Sequence, residues 1–176
     1  MNIIFGPERH SIRLPDYDYT SEGLYYVTLC TWDRRQILGD IKNEEMHLSS
    51  IGEMIQKAWS ELSRYDPRII LDEWRVMPNH LHGIIGMDRN VLGFYCGRAQ
   101  GPAPTINVMS LPDVVQRFKS WTTRQYLDMN SSSRGLLWQR GYYEHIIRDD
   151  HDLNRIHEYI RNNPKNWDAD PENPKL

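Results

Sequence analysis

His80 and His82 stand two positions apart in MPNHLHGII (77–85), an otherwise apolar stretch opened by a proline. Alternate side chains of a strand project from one face, so both imidazoles would point the same way, about 7 Å apart, with Leu81 and Gly83 opposite. Two such rings can share one metal ion or one phosphate. They are equally compatible with two ordinary strand histidines, and H-x-H alone does not decide. A second polar pair lies in HEYIRNNP (157–164), where Tyr159 and Asn163, at i and i+4, share a helix face beside an apolar stripe of Leu153, Ile156 and Ile160. If that stripe docks on an uncovered sheet face, the hydroxyl and the amide are carried toward the histidines. The plainer reading is a tyrosine packing its ring in the stripe and an asparagine closing the helix before Pro164.

The elements that must position these groups show in the periodicities. LYYVTLCTW (24–32) is β-branched and aromatic, reads as a strand and ends in the charged turn DRRQ; a short second strand is expected around 46–48. Ser50 precedes Ile51, Met54, Ile55, Ala58, Trp59 and Leu62 at helical spacing, closed by Asp66-Pro67, which predicts a helix over 51–64. Residues 69–77 and 81–87 are strand-like runs about the turn dipeptide Pro78-Asn79, hence a hairpin. Residues 88–110 carry no sustained period and several glycines and prolines, so a long loop is expected. Ser110 and Asp113 form the S-x-x-D pattern of a capping box, with Pro112 tolerated in the first turn, opening a helix over 111–128. After a loop at 130–135, residues 142–148 read as a strand, and Asp149 can cap a last helix over 152–163. A polar leader (1–22) and an irregular tail (164–176) flank these elements. Strand, helix, strand, strand, helix, strand is the β-α-β-β-α-β order of a ferredoxin-like α+β domain: an antiparallel sheet with helices on one face, here with an added C-terminal helix carrying the tyrosine.

With 176 residues the chain is expected to form a single domain. No run of 18 or more apolar residues could cross a bilayer, and the N-terminus lacks the long apolar core of a secretory signal, so the cytoplasm is the expected location. Cys30 and Cys96 fit neither a disulfide framework nor a cysteine zinc site. A formal net charge of −3 argues mildly against coating nucleic acid through bulk charge. The charge is uneven, however: 117–148 holds Arg117, Lys119, Arg124, Arg134, Arg140 and Arg148 against only Asp128 and Glu144. A local positive surface and a merely solvated helix face plus loop both account for this.

Taken together, three separated segments resemble the single-tyrosine HUH transposases, in particular the REP-associated tyrosine transposases: MPNHLHGII, WQRGYYEHIIRDDHDL and YIRNNP, in that order. The 9–19 region and SLPDVVQRFKSWTT are similar as well, so the resemblance spans nearly the whole chain. It implies that His80 and His82 hold a divalent cation, Mg²⁺ or Mn²⁺, and that Asn163, where related transposases often carry glutamine, completes its shell. It implies further that Tyr159 is the nucleophile, cleaving single-stranded or hairpin DNA to a 5′-phosphotyrosine and a free 3′-hydroxyl, with rejoining by another strand's 3′-hydroxyl. A phenol titrates near pH 10 and attacks poorly at neutral pH unless its phosphate is made more electrophilic, which is what a cation would supply. The resemblance, and not the imidazole ligands, favours Mg²⁺ or Mn²⁺, since imidazole more usually serves transition metals. Single-stranded DNA also suits the basic stretch 117–148, whose cations could follow phosphates while Trp121 or Trp138 stack bases, although both tryptophans could equally be core. Relatives act as monomers or homodimers, and the spacing alone does not say from which chain Tyr159 comes. A non-catalytic hairpin-DNA-binding regulator and a metal-dependent phosphodiesterase using water are the alternatives.

Overall fold

A computed structural model describes residues 17–88, 109–130 and 135–174. Arg134, Cys96 and most of the leader and of the 88–110 loop lie outside them. The elements are β1 (Gly23–Cys30), β2 (Gly39–Lys42), β3 (Glu45–Leu48), α1 (Ser50–Ser60), β4 (Ile69–Met77), β5 (His80–Met87), α2 (Leu111–Met129), β6 (Tyr143–Ile147) and α3 (Asp150–Asn162). The main sheet has the order β4-β5-β1-β6 with every neighbour antiparallel. This is the ferredoxin-like α+β arrangement expected from the element order.

Alternation divides the sheet into two apolar layers. Tyr25, Val27 and Leu29 of β1 and Leu81 and Ile85 of β5 pack with Ile55 and Trp59 of α1 and Val114, Val115 and Phe118 of α2. Tyr26 and Ile84, on the opposite face, pack with Ile156 and Ile160 of α3. Because His80 and His82 share the parity of Ile84 along β5, they lie on the α3 face, at the middle of the sheet and wholly buried. Each isoleucine of α3 removed from water stabilises the docking by about 1.5–3 kcal/mol.

Local chemistry accounts for most boundaries. Ser110 and Asp113 form the reciprocal capping box of α2, and Asp149 caps α3 by accepting from the Asp152 amide. α1 starts one residue earlier than expected, because Ser49 and not Ser50 accepts from the Gly52 amide, and it gives way after Ser60 to a 3-10 turn over Leu62–Arg64. The single short strand expected near 46–48 is one arm of a hairpin, β2–β3. Its turn residues, Asn43 and Glu44, both take positive φ, the geometry of the tight hairpin turn, without the glycine that usually announces it. The tail expected to be irregular instead folds back over the sheet, with a 3-10 turn at Trp167–Ala169 and with Asp170, Glu172 and Asn173 buried.

Gly83, between the histidine strand and the α1 layer, leaves no room for a side chain: a methyl there would approach Trp74 Cβ to 2.5 Å and Trp59 Cζ2 to 3.1 Å. Gly83→Ala should therefore lower the unfolding free energy by about 1–3 kcal/mol through overpacking. A thermal melt checks this, with the midpoint expected to fall by about 2–4 °C per kcal/mol.

Candidate active site

The histidine pair begins at a two-residue turn. Met77 pairs with His80 across Pro78-Asn79, so β5 starts on the first histidine. Asn79 is wholly buried, and its Nδ2 donates to two carbonyls, Arg34 O at 3.2 Å and Glu172 O at 2.6 Å. Those acceptors fix the amide orientation, so Oδ1, 3.0 Å from His80 Nδ1, must accept from an Nδ1–H. The His80 lone pair is thereby placed on Nε2, the tautomer suited to ligating a cation. His82 meets the Tyr26 hydroxyl through Nδ1 at 3.4 Å, and its buried Nε2 has no hydrogen-bond partner. The two imidazole centroids are 5.0 Å apart.

Opposite them lies α3. The Tyr159 ring is 5.5 Å from the His82 ring and edge-on to Tyr26, within one chain. One turn on, Asn163 is buried, and its Oδ1 has no hydrogen-bond partner. The unpartnered amide oxygen is an acceptor, and His82 Nε2 is a second one in the tautomer protonated at Nδ1; a cation would satisfy both. Among the described residues no group of three or more His, Cys, Asp or Glu could hold a metal ion, so a cation here would rest on His80, His82 and the Asn163 oxygen.

No periodicity or motif points to the fourth partner, Asp170. Its Oδ2 accepts from the Tyr159 hydroxyl at 3.3 Å and from Asn163 Nδ2 at 2.5 Å, while Oδ1 accepts from the Glu172 amide at 2.7 Å. Trp167 lies 6.1 Å from the His80 ring, centroid to centroid. Glu172 anchors the segment, meeting the Cys30 thiol at 3.2 Å and the Arg34 guanidinium at 3.5 Å. Burial pushes the His82 imidazolium well below its ordinary range, the charges of His80 and Arg75 push the same way, and Asp170 opposes them. His82 is therefore neutral.

The basic stretch is arranged differently from the histidine site. Arg117 and Arg124 are exposed on α2, which packs on the sheet face away from the histidines. Arg140 and Arg148 are exposed on either side of β6. Lys119 is turned inward: its ammonium donates to the carbonyls of Gln139, Arg140 and Gly141, and burial pulls its pKa down to about 8. Trp138 is core, its indole donating to Thr122 Oγ1 at 2.8 Å, and Trp121 packs partly buried against the same core. Of the residues expected to contact DNA, Lys119 and Trp138 are thus structural in this conformation, because a capping ammonium and a buried indole offer nothing to a passing strand.

No family profile matches the chain. A Haemophilus influenzae protein of uncharacterised function is 38% identical over 167 residues, covering 92% of this chain and 91% of that protein. A second H. influenzae protein, provisionally designated a REP-associated tyrosine transposase, is 26% identical over 148 residues, 84% of this chain and 73% of its own length. Among solved structures, a REP-associated tyrosine transposase bound to a REP hairpin shares the fold with a TM-score of 0.55 and 20% identity, over 88% of this chain and 74% of that one. In sequence and in fold the chain is similar to REP-associated tyrosine transposases. A provisionally assigned transposase from Deinococcus radiodurans is similar at a TM-score of 0.50 and 18% identity, over 85% of this chain and 95% of that one. No helix among the described residues is long and apolar enough to cross a membrane.

Asn79→Ala removes the acceptor that sets the His80 tautomer and strands two carbonyls. Long-range ¹H–¹⁵N NMR should report a protonated Nδ1 and a bare Nε2 on His80 in the native protein and a tautomer mixture in the variant. The unfolding free energy should fall by about 1–3 kcal/mol.

Proposed function

We propose that this protein cleaves and rejoins single-stranded DNA, with hairpin DNA as the preferred substrate, through a covalent bond to Tyr159. The observation that carries this reading is the meeting, within one chain, of Tyr159 with His80, His82 and Asn163 across the α3 face of the sheet.

In this reading His80 Nε2, His82 Nε2 and Asn163 Oδ1 hold a divalent cation, Mg²⁺ or Mn²⁺. When bound, the cation would draw electron density from the phosphate's non-bridging oxygens and offset the charge that builds there. The chain's own groups do the rest. Asn79 fixes the His80 ring through Nδ1 with Nε2 bare, and Tyr26 holds the His82 ring at Nδ1. α3 presents the Tyr159 hydroxyl from beside His82. The phenolic oxygen forms the bond to phosphorus as the bond to the 3′-oxygen breaks; the phenol loses its proton, and the 3′-oxygen leaves as a hydroxyl. The 5′-phosphotyrosine retains a phosphodiester, so attack by another 3′-hydroxyl reverses the step without ATP. Because the groups named here belong to one chain, a monomer carries a complete set. Arg140 and Arg148, exposed on the flanks of β6, are the cations placed to follow the DNA backbone toward the sheet.

The test is a labelled hairpin oligonucleotide with a single-stranded flank, incubated with protein and Mn²⁺ and run on a denaturing gel. A protein-linked band is expected from the native chain and from none of the Tyr159→Phe protein. His82→Ala and chelation of the metal should each reduce the band by about 100-fold or more. Cleavage without a protein-linked band would instead mean hydrolysis by water, and binding without cleavage would mean a recognition module.

A further inference from the structure

Arg75 is the residue of this face that the site described above leaves unused. In the β4–β5 ladder it lies directly opposite His82, so its side chain leaves the edge strand on the same face as the imidazole. Its Nε is buried and has no hydrogen-bond partner. The carboxylates that could have neutralised it are taken by α3: Asp72 pairs with His157 at 2.8 Å, and Glu73 with Arg161 at 2.8 Å.

A guanidinium set beside two imidazoles with no ion pair of its own among the described residues does not help the chain fold, since its field repels any dication. It becomes favourable when an anion arrives between them. A phosphodiester has the right charge, and the planar donor fork of a guanidinium can give two N–H groups to one of its non-bridging oxygens. We infer that Arg75 binds the phosphate at which the strand is cut, holding a non-bridging oxygen from the β4 side while the histidine side holds the other. This inference rests on the strand-cleavage reading above. Under it Arg75 touches the reacting group and, in the absence of DNA, weakens the grip of the site on a dication.

The two consequences have opposite signs, which a merely structural arginine would not produce. The test compares Arg75→Gln and Arg75→Lys with the native protein, using the hairpin oligonucleotide with Mn²⁺, and measures Mn²⁺ affinity of the DNA-free proteins by electron paramagnetic resonance. For Arg75→Gln, formation of the Tyr159-linked band at saturating oligonucleotide should slow by about 100-fold, while Mn²⁺ binding without DNA tightens by about 2- to 10-fold. Arg75→Lys should recover part of the rate, because a point charge restores attraction but not the fork. A native rate in Arg75→Gln overturns the inference, as does a rate loss that saturating oligonucleotide erases, or weaker Mn²⁺ binding without DNA. A native protein that forms no Tyr159-dependent band removes the strand-cleavage reading and this inference with it; a native band with an unchanged Arg75→Gln removes this inference alone.

Discussion

Ile156 and Ile160 hold α3 against the sheet face that α1 and α2 leave open, and the candidate site takes its geometry from that contact. Burying the two side chains contributes about 3–6 kcal/mol together, whereas the partly exposed pairs His157–Asp72 and Arg161–Glu73 contribute about 0–1 kcal/mol each. The apolar stripe therefore supplies the docking energy. The ion pairs act on a smaller scale, setting where along β4 the helix comes to rest, and so which turn of it faces His82.

Much of this was legible in the sequence because it depends on local periodicity. The period of two in LHGII and its turn predicted a strand with both histidines on one face, and the i, i+4 spacing of Tyr159 and Asn163 beside Leu153, Ile156 and Ile160 predicted a helix offering both toward a sheet. What escaped has no period. Asp170 and Glu172 lie in a segment whose only regular element is a three-residue turn, and they reach the site through hydrogen bonds to residues distant in sequence. Asn79 was read as a turn former. Its second task, orienting His80, depends on a carbonyl 93 positions away. Composition leaves Trp138 open between stacking and core and offers Lys119 as a phosphate contact; in the fold both are spent inside, on a threonine hydroxyl and on three carbonyls.

The site is also where the fold tolerates unfavourable terms. The buried Nε2 of His82, Oδ1 of Asn163 and Nε of Arg75 lack partners, and each such group costs about 1–3 kcal/mol relative to a satisfied one. Unpartnered buried atoms also occur away from this face, on Trp59, Arg68 and Glu144, so what distinguishes the site is that its unpartnered groups lie together on the α3 face, where one ligand would return their cost.

The order of these parts along the chain has a consequence for synthesis. β1, β4 and β5 can pair once the first half of the chain exists, but α3, which covers the histidine face, and Tyr159, Asn163, Asp170 and the Glu172 carbonyl that orients Asn79 all follow residue 149. The last two dozen described residues therefore complete the candidate site, and a chain cut short before them lacks Tyr159, Asn163, Asp170 and one of the two carbonyls that orient Asn79.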